Sequence, residues 1–273
     1  MNIDEIIKLS LEEDLGHGDI TTDYLEVDDI DSVAFMIAKQ DGVLAGIDVA
    51  IKVFHTIDSN LKIIIYKKDG DWILKGDDLI KIEGKTSSIL KAERVALNFL
   101  QRLSGIATQT RNCVNELDGL ETKLLDTRKT TPLLRNLEKY AVKIGGGYNH
   151  RFGLYDMIML KENHIRAANG ITAAVEKIKL RNTSYKIEVE VTNLEELKEA
   201  VNSGADRALL DNMSVKDMKT AVQNYKNYIE LEASGNITIK NIKEIAETGV
   251  HYISSGSLTH SYKSMDISLL FKE

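Results

Sequence analysis

The sequence predicts an α/β protein in two parts: an N-terminal α+β sandwich-like domain over residues 1–105, then a parallel (β/α) barrel of about six or seven strands over residues 106–273, with the last residues free to pack back on the first part. Three observations carry this expectation. In the first hundred residues, strand and helix patterns do not alternate regularly. From about Lys123 they do: strand, polar residue, helix, repeated, which is the rhythm of βα units. Polar residues Asp126, Lys161, Glu190, Asp211, Ser234 and Ser255 follow successive strand candidates, and the last four are 21, 23 and 21 positions apart, about one βα unit each. In a parallel barrel such ends converge on one face.

The elements follow in order from periodicity and end signals. A helix is expected over Ile3–Glu13, a strand near Val33–Lys39, a helix near Ile47–Ile57, and strands near Leu61–Lys67 and Asp78–Glu83. A long helix starts near Thr86 or Ser87, with Ile89, Ala92, Ala96, Leu100 and Leu103 as its buried stripe and Lys91, Arg94, Asn98 and Gln101 on the other side. The later strands are expected at Lys123–Leu125, Asp156–Leu160, Lys186–Val189, Arg207–Leu210, Ile229–Leu231 and Tyr252–Ile253. Between them, Thr192 with Glu195 and Ser214 with Asp217 have capping-box spacing, and Gly204 and Gly249 stand where helices should stop. Pro132, the sole proline, is expected in the first turn of a helix running to about Lys143 and closed by Gly145–Gly147.

Composition narrows the function. With 273 residues, 43% of them apolar, the chain can build a substantial core. A formal charge of −7 argues against a dedicated nucleic-acid or anionic-membrane binder. Cys113 is the only cysteine, so no intrachain disulfide and no cysteine metal site is possible, and a reducing cytoplasm is expected. The N-terminus lacks the pattern of a signal peptide, and no stretch approaches about 18 uninterrupted apolar residues.

Against this acidic background, cations cluster between Arg128 and Arg166, in the runs Asp126–Pro132, Asn149–Arg151 and Leu160–His164. Guanidinium and ammonium groups brought together repel unless carboxylate or phosphate oxygens lie between them, so the cluster implies a small, highly charged ligand. Ser234-Gly235-Asn236 and Ser255-Gly256-Ser257 each follow a late strand and precede helical sequence; small residues let backbone N–H groups approach an oxyanion, which reads as a phosphate cradle. Glu190 and Asp211 end consecutive strands, an arrangement for a divalent cation, ribose hydroxyls or developing positive charge. No spacing indicates a permanent zinc site; a hard ion such as Mg²⁺ arriving with a polyphosphate is the expected metal. Glu188 should share the face of Glu190, so pattern alone leaves open which carboxylate reaches the ligand. His150, flanked by Asn149 and Arg151 after a glycine-rich turn, is expected to orient an anion; His164 and His260 have weaker claims.

At these residues the chain resembles the quinolinate phosphoribosyltransferases, also called carboxylating nicotinate-nucleotide pyrophosphorylases. The resemblance runs almost end to end, through EDLGHGDITT at 13–22, ERVALNFLQRLSGIAT at 93–108, DTRKTTP at 126–132, GGYNHR at 146–151, LKENH at 160–164, EVEV at 188–191, LDN at 210–212, EASG at 232–235 and LTHS at 258–261. It implies transfer of the phosphoribosyl group of phosphoribosyl pyrophosphate to quinolinate with decarboxylation to nicotinate mononucleotide, and a requirement for Mg²⁺. By motif position it implies that Arg94, Arg128, His150, Arg151 and Lys161 hold the quinolinate carboxylates with help from Thr127. Lys129 would meet the pyrophosphate, Glu190 and Asp211 the ribose and metal, and residues 234–236 and 255–257 the 5′-phosphate, with Lys129, Lys161, Glu190 and Asp211 carrying catalysis. It also implies a homodimer or larger assembly in which Arg94 enters the neighbouring subunit's site. Two positions depart from the family pattern: Leu133 and Asn236 stand where glycine is usual. The competing readings are a paralogue found with molybdate transport genes and a phosphosugar-binding barrel that regulates rather than catalyses.

Overall fold

A computed structural model describes residues 2–25, 27, 30–181 and 183–272. The elements in chain order are α1 (Ile3–Leu15), α2 (Ile20–Leu25), β1 (Asp31–Ala38), β2 (Gly42–Val43), α3 (Ile47–Ile57), β3 (Lys62–Ile65), β4 (Trp72–Ile73), β5 (Asp78–Lys85), α4 (Thr86–Asn115), β6 (Lys123–Leu125), α5 (Arg135–Ile144), β7 (Ile158–Leu160), α6 (Glu162–Ala168), α7 (Ile171–Lys179), β8 (Ile187–Val191), α8 (Leu194–Ser203), β9 (Arg207–Asp211), α9 (Val215–Tyr225), β10 (Glu230–Ser234), α10 (Ile242–Ala246), β11 (Tyr252–Ser254), α11 (Ser257–His260) and β12 (Ile267–Phe271). By compactness the chain forms two units, one made of residues 1–111, 131–146 and 262–273, the other of 112–130 and 147–261.

The first unit is built on an antiparallel sheet in the order β12-β1-β5-β3, so the C-terminal strand closes onto the N-terminal one, with Ala34 opposite Phe271. Met36, Ile80 and Ile82 of this sheet are completely buried, as are Ile7 of α1 and Phe54 of α3. On α4 the expected stripe is the buried one: Ile89, Ala92, Ala96 and Leu100 have no exposure and Leu103 has 1%. Within the same unit Arg102 of α4 pairs with Glu138 Oε1 at 2.5 Å, donates to Thr131 Oγ1, and lies 4.9 Å from the Tyr262 ring centroid. Glu138 Oε2 in turn accepts from the Thr131 N–H at 3.1 Å. The helix expected from Pro132 begins three residues later, because Leu133 adopts φ 69°, a left-handed conformation that cannot propagate an α-helix.

The second unit is a parallel six-stranded sheet in the order β6-β11-β10-β9-β8-β7, with helices between successive strands and an isolated parallel bridge from Leu125 to Tyr148. Its strands bury Val189, Ala208, Leu210, Leu231, Ala233 and Ile253 fully, while β8 and β10 alternate these apolar residues with glutamates. Ser214 caps α9, accepting from the Asp217 N–H at 3.1 Å. The other expected cap moves by one residue: Asn193, not Thr192, accepts from the Glu196 N–H at 2.9 Å, while the Glu196 carboxylate reaches back to the Thr192 N–H and hydroxyl. Gly204 ends α8 with φ 74°; Gly249 follows α10 by two residues beyond its cap, Glu247. Among the described residues, no helix is long and apolar enough to cross a membrane.

Candidate active site

Parallel strands aim their C-terminal ends the same way, and here those ends surround a cleft of about 860 Å³. Fourteen of the fifteen site residues expected from sequence line it: Thr127, Arg128, Lys129, His150, Arg151, Lys161, Glu190, Asp211 and the two triplets Ser234–Asn236 and Ser255–Ser257. Arg94, the fifteenth, lies exposed on α4 in the other compact unit and is not part of this lining.

After β6, Asp126, one of the six in-phase polar residues, is fully buried and serves as a brace, its Oδ1 accepting from the His150 N–H at 2.9 Å and its Oδ2 from Asn149 Nδ2 at 2.6 Å. The residues that follow form a tight turn in which the Lys129 N–H donates to Thr127 Oγ1 at 3.0 Å, and Thr259 Oγ1 donates to the Lys129 carbonyl at 2.8 Å. Arg128 and Lys129 are thus held on a bound backbone. Arg151 is 8% exposed and anchors Nη1 to the Met157 carbonyl at 3.1 Å. Burial, and then the neighbouring Arg128 guanidinium, hold Arg151 below its ordinary pKa. Two guanidinium groups that penalise each other define a place where an anion gains from both.

His150 meets protein on both ring nitrogens. Nδ1 accepts from the Arg151 N–H at 2.8 Å, and Nε2 faces Glu188 Oε2 at 3.0 Å and Glu232 Oε1 at 3.5 Å. An acceptor Nδ1 carries no proton, so this geometry assigns the proton to Nε2. The ring therefore supports the Arg151 backbone from beneath the cleft, and its nitrogens are not turned to an anion as sequence suggested.

Glu190 and Glu188 do share a face of β8, two residues apart, but at different depths. Glu190 reaches the cleft, 3.5 Å from Lys161 Nζ, while Glu188 is completely buried below it. Lys161 is itself fixed at the start of α6, its N–H donating to His164 Nδ1 at 3.1 Å; that is the role of His164, which does not line the cleft. Under the cleft, Arg207 Nη1 pairs with Glu232 Oε2 and Nη2 with Glu230 Oε2, both at 3.0 Å, and stacks 4.1 Å from the Tyr252 ring centroid. Burial pushes Glu188 up to about 7, opposed by Arg207; burial and then the Glu188 charge push Glu232 up to about 7. His150, Glu188 and Glu232 could converge on a metal ion, but Arg207 already supplies the positive charge in this buried layer.

In the same cleft Asp211 ends β9, and the triplets stand at the ends of β10 and β11. Ser255 is fixed by its own hydroxyl, which donates to the Ile237 carbonyl at 3.0 Å and meets Ser257 Oγ at 2.8 Å. Gly256 is close to its neighbours: a Cβ there would lie 2.8 Å from Lys129 Cδ. The helix expected directly after Ser234–Asn236 begins only at Ile242, so this half of the cradle is a turn, with Gly235 at φ 94° and Asn236 at φ 51°, and not a helix start. Sequence reasoning missed Glu232 and Asn212. Glu232 lies two residues before Ser234, and period-2 reading would have put it on the same face; Asn212 stands in the motif LDN at 210–212 but was given no role of its own.

The two halves of the chain match two family models: residues 19–104 the N-terminal domain and residues 106–270 the C-terminal domain of quinolinate phosphoribosyl transferase. A probable nicotinate-nucleotide pyrophosphorylase (carboxylating) of Bacillus subtilis is 45% identical over 258 residues, 94% of this chain and 89% of that protein. The chloroplastic nicotinate-nucleotide pyrophosphorylase (carboxylating) of Arabidopsis thaliana is 44% identical over 97% of this chain and 81% of its own length. The solved structure of the nicotinate-nucleotide pyrophosphorylase from Francisella tularensis superposes with a TM-score of 0.95 at 43% identity, covering 99% of this chain and 96% of that one.

Proposed function

The chain belongs to the quinolinate phosphoribosyltransferase family, and from that membership we infer the reaction its cleft performs. It is a decarboxylating pentosyltransferase: the phosphoribosyl group of phosphoribosyl pyrophosphate passes to the ring nitrogen of quinolinate, pyrophosphate leaves, and the adjacent carboxyl departs as CO₂ to give nicotinate mononucleotide. The observation that carries the assignment to this cleft is its inventory. Arg128, Arg151, Lys129 and Lys161 line it together with Glu190, Asp211 and two small-residue turns. A dicarboxylate beside a phosphorylated sugar has the complementary pattern.

In this reading the paired guanidinium groups of Arg128 and Arg151, with Lys161, take the two quinolinate carboxylates, and Thr127 adds its backbone or hydroxyl. Their planar forks suit carboxylates, and a monocarboxylate would leave a cation unpaired, so discrimination against nicotinate follows. His150 keeps the expected place in the substrate site but acts by seating Arg151. Because the ring nitrogen is already a nucleophile, orientation contributes more than base catalysis. Departure of pyrophosphate leaves positive charge on the ribose; carboxylates beneath the sugar and Lys129 at the leaving group both stabilise that transition state beyond the ground state. Residues 234–236 and 255–257 take the 5′-phosphate.

Mg²⁺ suits the donor set. Glu190 and Asp211 offer hard oxygens without a closed cage, which fits an ion that keeps most of its remaining ligands from phosphates and water. Such an ion would neutralise the pyrophosphate. We further propose a homodimer or larger assembly in which Arg94 completes the neighbouring subunit's carboxylate site, and a reducing cytoplasm. Cys113 agrees with that compartment, being buried with its thiol pushed up to about 11, mainly by burial.

The test is incubation of the purified protein with carboxyl-labelled quinolinate, phosphoribosyl pyrophosphate and Mg²⁺. Release of labelled CO₂ with stoichiometric pyrophosphate is expected. Ligand binding without release would instead favour a regulatory phosphosugar-binding protein, and failure to bind quinolinate would favour the molybdate-associated paralogue.

A further inference from the structure

Asn212 sits between two parts of the cleft that a single phosphoribosyl group must span. It follows Asp211 directly, in a left-handed conformation with φ 54°, and its N–H donates to the Ser234 carbonyl at 2.9 Å. Its side-chain amide is used at both ends. Nδ2 donates to Asp211 Oδ2 at 3.0 Å, and Oδ1 accepts from Asn236 Nδ2 at 3.0 Å. A carboxylate can only accept, so the amide orientation is determined. Gly235 lies flat against that amide; a Cβ there would collide with Asn212 Oδ1. Asn236, also left-handed, is held in turn by Asn241, whose Nδ2 donates to its carbonyl at 3.2 Å.

We propose that Asn212 is a positioning residue that couples the ribose-binding carboxylate Asp211 to the phosphate-binding turn Ser234–Asn236, so that both grip one phosphoribosyl group in a fixed relation. This deepens the function proposed above and rests on it. The physical reason is that the sugar hydroxyls and the 5′-phosphate are joined covalently. Subsites that drift independently lose affinity for the joined ligand, whereas a shared amide keeps them in register. The linkage also gives Asn236 a use of its own: its side chain supplies the donor to Asn212.

The test compares Asn212→Gly, Asn212→Ala and Asn236→Gly with wild type. Glycine adopts φ near +54° without strain, so Asn212→Gly removes only the amide. Binding of phosphoribosyl pyrophosphate with Mg²⁺ is measured by calorimetry, and KM for each substrate and kcat by CO₂ release. The expected result is a tenfold to hundredfold weakening for phosphoribosyl pyrophosphate in Asn212→Gly, the range for loss of a hydrogen bond to a charged group, with KM for quinolinate within about twofold of wild type. Asn236→Gly should weaken the same ligand, and the double variant should be no weaker than Asn212→Gly, because both cut one link. Unchanged affinity in Asn212→Gly, or equal loss for both substrates, overturns the proposal. Should Asn212→Ala or Asn212→Gly fail to fold, Asn236→Gly decides: affinity equal to wild type overturns it. A wild type that binds phosphoribosyl pyrophosphate but releases no CO₂ sinks the catalytic reading, while the calorimetric comparison still decides the role of Asn212.

Discussion

Arg128 and Arg151 illustrate how a functional side chain is made at the scale of single residues. The Arg151 guanidinium is anchored to the Met157 carbonyl, Arg128 rides on a turn whose backbone is bonded, and their proximity costs energy that an anion recovers. Truncating Arg128 to Ala removes one arm of the carboxylate clamp. Loss of a hydrogen-bonded partner to a charged ligand costs about 2–5 kcal/mol, so kcat/KM for quinolinate should fall on the order of 10²- to 10³-fold, with the thermal midpoint little changed. Near-normal turnover would remove Arg128 from the site. His150 makes a second residue-level prediction. With Nδ1 accepting from the Arg151 N–H and Nε2 facing Glu188, ¹⁵N-detected NMR at neutral pH should find the proton on Nε2. A proton on Nδ1 would contradict the seating role. Sequence placed His150 in the cleft correctly through its motif but could not say which way its ring nitrogens turn, because that depends on two glutamates from strands 38 and 82 residues later.

Among the elements, β8 and β10 carry an energetic cost that their apolar neighbours offset. Glu188 and Glu232 are completely buried and both pushed up to about 7 from 4.5. Between those values the folded chain keeps protons that the unfolded chain has released, so stability falls as pH rises from about 4.5 to about 7, and the full cost is present above that window. Glu232→Gln removes one of the two like charges while Arg207 keeps Glu230. Its thermal midpoint should therefore decline less steeply than that of wild type between pH 5 and 8 in parallel calorimetric scans; identical slopes would show that the pair does not titrate there. On α4, Gly105 sits where a Cβ would strike the Lys263 carbonyl oxygen, backbone that cannot swing away as a side chain would. Gly105→Ala should cost about 1–3 kcal/mol as overpacking, a loss of several degrees in thermal midpoint. A midpoint within one degree of wild type would show that this approach is not tight.

For the whole molecule, the proposed assembly predicts complementation. Arg94→Ala and Lys161→Ala subunits should each be nearly inactive alone; unfolded and refolded together, they should regain about a quarter of wild-type activity, since half of random dimers are mixed and each mixed dimer holds one intact site. No regain would mean that Arg94 does not act across subunits. Much of the architecture was legible beforehand. The α4 stripe, the six parallel strands and the in-phase residues Lys161, Glu190, Asp211, Ser234 and Ser255 could be read because burial imposes period 3.6 on helices and because βα units repeat at nearly constant length. Its phase alone could not show that Asp126 braces a loop, since a polar residue after a strand looks the same whether it meets substrate or holds backbone. The start of α5 was misplaced because Pro132 suits a first helical turn, while the left-handed turn at Leu133 is held by contacts from Arg102 and Glu138 on Thr131. By itself the sequence determined the kinds of elements, their order, and the chemical inventory of the cleft, all of which follow from local periodicity and motif. Only the tertiary structure decided depth and orientation: that Glu190 is wet and Glu188 dry, that the His150 nitrogens face inward, and that Asn212 ties Asp211 to the turn after β10. Those outcomes depend on which strands become neighbours, and neighbours far apart in the chain leave no local mark.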